Sequence, residues 1–244
     1  FGACFLAMLG IGAILFGTTQ VMPALVQSNF GYTATLAGLM LLPGGLAMAF
    51  LMPAAGQITN YVQQKFVIAA ALLVLSLALW HMTNLAPEAN FQYFAWSRVY
   101  QMLAMPFLFI PIIAASYVGL PPQKTDQAAS LINVARNTGG SIGISLYDTL
   151  LARHEQIHQS RLVEQVYPSS IEYQNTLSEL TAYFVQRGST DLDAHQQAIA
   201  FIERQVSSQA MLLSYIDVFA TFGTIAIVLT AIVLILLRGN AKET

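Results

Sequence analysis

Six stretches of this chain are long and apolar enough to cross a hydrocarbon layer, which needs roughly 20 such residues per helix. They are residues 1–26, 35–58, 66–82, 91–119, 127–152 and 211–237. Short polar turns separate the first five. A protein built this way must satisfy its backbone inside each span, so the reading is all-α and polytopic. Composition agrees: of 244 residues, 56% are hydrophobic and only 9% charged. A soluble domain carries about 25% charged residues. No basic run is present to bind nucleic acid, and the net charge of −2 gives no such pull. No phosphate-cradling glycine loop is found, which argues against a nucleotide-driven pump. No nucleophile, base and orienting acid come together in the sequence, so no enzyme is expected and no cofactor is implied.

The single cysteine, Cys4, lies in an apolar run and reads as a small buried hydrophobe. The chain opens on Phe1 with no basic stretch, so the first apolar run reads as a span and not as a signal peptide. It reads as the later part of a longer protein. Three regions are expected: residues 1–152 holding spans one to five, 153–209 forming a polar helical loop, and 210–244 holding the last span and a short tail. The loop carries seven of the twelve acidic residues. Pro168-Ser169-Ser170 reads as a stop followed by a new start, with Ser169 and Glu172 at capping-box spacing. Gly188 reads as a helix C-terminal cap. Asp191 reads as the cap of a third helix that runs unbroken into the last span.

The stretch from Gln127 to Leu151 is the most informative. It is apolar overall yet holds Asn133, Arg136, Asn137 and Asp148. Gly139 and Gly143 form a GxxxG pair, which lets two helix backbones approach closely in lipid. Gly44 and Gly45, with Pro43, sit inside the second span. If spans one to three mirror spans four to six, these glycine pairs correspond, and interrupted helices in paired halves point to a transporter's binding site. Membrane helices are also rich in glycine for packing alone.

Arg136 lies about 15 Å into the fifth span at a rise of about 1.5 Å per residue, near the middle of a ~30 Å core. Two readings stand side by side: a cavity group that senses substrate or stabilises a carboxylate, and a clamp on backbone carbonyls. Asn133, one turn earlier, reads as an interhelical hydrogen bond or a cavity group. Arg98 and Gln101 fall in the fourth span, which Pro106 and Pro111 break. Arg98 reads either as a cation that keeps an acid ionised or as half of an ion pair between helices. Arg98 and Asp148 lie at similar depth, about 36–39 Å along their helices from the turn near Pro122. That spacing makes Asp148 its expected partner, with Asp217 second. Asp217, near the end of the last span, otherwise reads as an interfacial carboxylate. Phe16 and Gln20 in the first span read as cavity lining or as packing, and Met102, Met105 and Phe107 suit an adaptable apolar pocket or a core. His154 and His158 have ligand spacing but no third ligand in view, so a solvated helix face is expected and no metal site.

These motifs carry a resemblance. SLINVARNTGGSIGISL is similar to the penultimate span of the major facilitator superfamily's drug:proton antiporters of the fourteen-span EmrB/QacA type, and LAGLMLLPGGLAMAFLMPAAGQI to the second span of their C-terminal half. GLPPQKTDQAASL resembles the cytoplasmic turn before the fifth span, and a long polar loop before the last span is typical. SRVYQML resembles an arginine-x-x-glutamine motif, with Met102 where glycine is usual. The turn GQITNYVQQK keeps Gly56 and Lys65 of the glycine-acid-basic signature, but Asn60 replaces the acid. The resemblance implies six spans forming one half of a major facilitator fold. It implies export of amphipathic drugs or toxic organic compounds by proton antiport with alternating access. The implied partners are the transporter's N-terminal half, protons, the lipid bilayer and, in a double-membraned bacterium, a periplasmic adaptor. The other reading is a non-transporting half that senses or assembles through its polar loop. Lys65, Lys124, Arg238 and Lys242 make their side cytoplasmic, so the chain is expected in a bacterial inner membrane with the loop outside and the C-terminus inside.

Overall fold

A computed structural model describes residues 1–167 and 169–236. Pro168, expected to stop the first loop helix, lies outside the described residues. So do Arg238, Lys242 and the tail, expected to be cytoplasmic. Eight α-helices account for most of the described residues: α1 Gly2–Ser28, α2 Ala34–Tyr61, α3 Gln64–His81, α4 Phe91–Ala104, α5 Pro106–Tyr117, α6 Thr125–Gln165, α7 Ile171–Gln186 and α8 Asp191–Leu236. No strand occurs among the described residues.

Among the described residues, five stretches are long and apolar enough to cross a membrane: α1, α2, α3 with its 3-10 extension to Asn84, α4 with α5, and α8. The expected count of six is therefore approximate. The difference lies in α6, whose stretch 127–152 carries Asn133, Arg136, Asn137 and Asp148 among its small residues. Those groups lower its apolarity below that of the other spans.

Local chemistry sets the helix ends. The Thr33 hydroxyl accepts from Leu36 N at 3.3 Å, and the Asn90 carboxamide oxygen accepts from Tyr93 N at 3.0 Å. Each satisfies one of the orphan N–H groups of a first turn. Pro106 occupies the first turn of α5, where its missing N–H costs nothing. The chain turns at Met105, and the fourth span becomes two helices. Pro43-Gly44-Gly45 and Gly139-Gly140, by contrast, interrupt nothing: α2 and α6 run straight through them. In a membrane the groups freed by an internal proline are met by neighbouring helices and local adjustment, so Pro43 and Pro53 are tolerated.

The chain forms two compact units. The first comprises residues Phe1–Thr149 and the chain from Ile216. Here α1 packs on α2, α5, α6 and α8, while α2 and α3 both pack on α4 and α5. Phe94, Phe219, Phe222, Met8 and Ile11 are among its fully buried side chains. The Ser76 hydroxyl on α3 donates to the carbonyl of Gly223 on α8 at 2.9 Å. Leu39, Leu42, Leu46 and Phe50 run along one exposed face of α2, as a lipid-facing helix allows. At one end of α3 and α4, Tyr93 stacks on His81 at 5.3 Å, Tyr100 meets it edge-on at 5.6 Å, and Trp96 lies against Tyr100 at 6.2 Å. Amphipathic rings of this kind gather at membrane interfaces.

The second unit is Leu150–Tyr215. It holds the end of α6, all of α7 and the start of α8. Ser170, not Ser169, caps α7, accepting from Tyr173 N at 3.1 Å. Helix α7 ends on Gly188, whose φ of +97 needs a residue without a side chain. Thr190, not Asp191, caps α8: its hydroxyl accepts from Asp193 N at 3.3 Å and donates to Asp193 Oδ2 at 2.6 Å. Asp191 is instead the first helical residue, where a negative charge favours the helix dipole. Helix α8 is continuous into the last span, 46 residues in all.

Candidate functional site

Two polar features lie inside the first unit, each created by a glycine. The first surrounds Arg98 on α4, which is 5% exposed. Its Nη2 donates to the Thr19 hydroxyl of α1 at 2.6 Å, and its Nη1 donates to Gln101 Oε1 at 3.2 Å. Thr19 in turn donates to Leu15 O at 2.6 Å. Gln101 is fully buried, and its Nε2 has no hydrogen-bond partner among the described residues. Gly44 of α2 makes room for this group. A Cβ there would stand 2.8 Å from Arg98 Cγ and 2.9 Å from Met102 Cγ.

The expected Arg98–Asp148 pair does not form. Asp148 is exposed, and Arg98 meets only neutral oxygens among the described residues. Equal depth along two helices says nothing about which way each side chain points. Arg98 points toward α1 and α2, where Thr19 and the open face of Gly44 receive it. Asp217, the second choice, is not among the groups that the Arg98 guanidinium bonds, which are Thr19 and Gln101.

The second feature is the seam between α1 and α6. A Cβ on Gly139 would fall on the carbonyl of Leu9, one on Gly143 on the carbonyl of Ala13, and one on Gly12 on the carbonyl of Arg136. The backbones themselves are in contact, as small residues in membrane helices permit. Beside them Phe16 lies over Gly140, its nearest ring carbon 2.6 Å from where a Cβ would be. Arg136 is half-buried at this seam, and its Nε is a buried donor with no partner among the described residues.

The remaining candidates are scattered. Asn133 and Gln20 are exposed, and Phe16 is partly so. Met102 and Met105 are core residues, and Phe107 is half-buried. Gly45 meets nothing within 4 Å, unlike Gly44 beside it. His154 and His158 are neighbours on α6, ring centroids 6.3 Å apart. In the second unit an open cleft of about 590 Å³ runs between α7 and the start of α8, with Leu177, Thr181, Val185 and His195 in its walls. Thr19 was not singled out from sequence. Its one signal was a threonine pair, Thr18-Thr19, inside an otherwise apolar span.

Long apolar helices, a span broken at proline, and a buried arginine and glutamine define a polytopic membrane protein. Residues 1–144 match the model of the Major Facilitator Superfamily. The chain belongs to that superfamily. It is 29% identical over 221 residues to the multidrug export protein EmrB of Escherichia coli (strain K12), covering 90% of this chain and 42% of that protein. It is 26% identical over 220 residues to the fatty acid resistance protein FarB of Neisseria gonorrhoeae, covering 90% of this chain and 42% of the relative. To the colistin resistance protein EmrB of Acinetobacter baumannii it is 23% identical over 237 residues, 94% of this chain and 44% of the relative. The chain thus spans about two fifths of the length of the relatives it matches.

Proposed function

We propose that this chain is the C-terminal half of a bacterial inner-membrane exporter of amphipathic organic compounds, driven by proton antiport through alternating access. The observation that carries the reading is the match to exporters across 90% of this chain, polar loop included. In this reading the chain rocks against an N-terminal half, with the face around Arg136, Asn133, Phe16 and Gln20 turned toward the transport path. Buried ionisable groups in a membrane support such a role, because they are costly to keep there without function. Lys65 and Lys124 stand at the ends of short connections on one side, which supports a cytoplasmic placement for them. The region 153–209 then lies outside, and its α7–α8 cleft offers a surface for a periplasmic adaptor.

The test is transport by the full-length protein in sealed vesicles carrying an internal pH dye. An imposed proton gradient should collapse faster when an amphipathic substrate is added, and substrate should accumulate against its gradient. Substrate movement indifferent to the proton gradient would remove antiport. Binding with no movement at all would favour the sensing or assembly reading.

A further inference from the structure

The exposed side of α6 is polar through the thickness of a membrane. Ser130, Asn133, Asn137, Ser141 and Ser145 follow at spacings of three or four residues, which puts them on one face, and all are exposed. Exposed carboxylates end the row, Asp126 before it and Asp148 after it. At about 1.5 Å per residue the two acids stand about 33 Å apart, close to the depth of a hydrocarbon core. The open face of α2 is the contrast, with Leu39, Leu42, Leu46 and Phe50. Lipid can cover a face of that kind, but it leaves amides and hydroxyls unsatisfied. The cover of the α6 face is water, or protein with matching polar groups. A wet row running from acid to acid would pass protons whether or not substrate is present.

One charge stands along the row. Arg136 flanks it, about 15 Å from Asp126 and about 18 Å from Asp148 along the helix. It is half-buried, and of its three nitrogens only Nε is closed off without a partner. Between the two acids α6 carries no other charged residue, and α1, packed against it, carries none. A guanidinium does not lose its proton in proteins. Its positive charge is therefore fixed halfway along the row, with no acid of either helix beside it. An arginine so placed in a polar path is a barrier to protons and cations. We propose that Arg136 is the electrostatic barrier that keeps a wet α6 face from leaking protons and small cations across the membrane. The proposal rests on the exporter reading of this face, and it gives Arg136 a role at rest, before substrate arrives. At about 10 Å and an effective dielectric constant of about 20, one unit charge slows a passing cation about tenfold.

The experiment is passive proton flux into sealed vesicles that hold the full-length protein and an internal pH dye, driven by a potassium diffusion potential with no substrate added. Arg136→Gln should leak about tenfold faster than the wild type, and Arg136→Lys should stay near it. Adding Asn133→Lys to Arg136→Gln returns a positive charge to the row about one turn away and should close the leak again, which no repair of packing would do. If Arg136→Gln does not fold, Asn133→Asp decides with the arginine in place: a carboxylate three residues before Arg136 offsets the charge, and the leak should rise. No added leak in the deciding variant overturns the proposal and means that protein, not water, covers the face. A leak in Arg136→Gln that Asn133→Lys leaves untouched, or that Arg136→Lys shares, also overturns it, because shape and not charge would then close the path. Substrate-driven proton movement by the wild type in the same vesicles tests the exporter reading separately. A tight Arg136→Gln beside an active wild type removes the barrier alone, and an inactive wild type removes the exporter.

Discussion

A single hydroxyl decides how Arg98 is held. Thr19 is the one described group outside α4 that bonds the guanidinium. Thr19→Val keeps the shape and removes the acceptor. Losing a hydrogen bond to a charged group costs about 1.5–3 kcal/mol, so the unfolding midpoint should fall, while Thr19→Ser should hold it. Equal midpoints for the two variants would show that the bond contributes nothing. The sequence displayed Arg98 and Gln101 clearly, because a charge and an amide stand out in an apolar span. It hid Thr19, because most membrane threonines simply bond back to their own helix, as Thr18 does to Leu15 O at 3.2 Å. It also misdirected the pairing: counting residues from Pro122 measures depth, and the partner of Arg98 was set by azimuth.

At the scale of helices, the two glycine pairs do different things from what their resemblance to helix breaks suggested. Gly44 accommodates a side chain from α4, and Gly139 and Gly143 accommodate the backbone of α1. The difference predicts a graded response. Gly139→Ala sets a Cβ on the carbonyl of Leu9, which cannot move without moving α1. Overpacking of this sort costs about 1–3 kcal/mol or more. Gly44→Ala presses only on the flexible stems of Arg98 and Met102 and on Arg98 O at 3.1 Å, so its loss should be smaller. Gly45→Ala meets open space and should be neutral. Expression level and unfolding midpoint of the three variants check the order; Gly139→Ala behaving like Gly45→Ala would remove the seam as a constraint. The helices themselves were legible from apolar runs, and the break at Pro106 from proline chemistry. Helix starts in the polar loop were misplaced by one residue. Ser169 and Ser170 are chemically equivalent, as acceptors, and only the backbone path chooses between them.

For the whole molecule, membership of the superfamily sets the architecture, while sidedness remains a reading from Lys65 and Lys124. Ser189→Cys, in the turn after α7, should react with a membrane-impermeant thiol reagent added to intact cells whose outer membrane is permeabilised. Labelling confined to lysed cells would reverse the proposed orientation. The α1–α6 seam has one more consequence, which concerns heredity. Any missense change at the codons for Gly12, Gly139 or Gly143 adds at least one carbon atom, and that carbon lands on a main-chain carbonyl. These three codons have no mild neighbours. The exposed side of α6, at Asn133, Asn137 and Ser141, carries no such constraint, and variation there is free of this penalty.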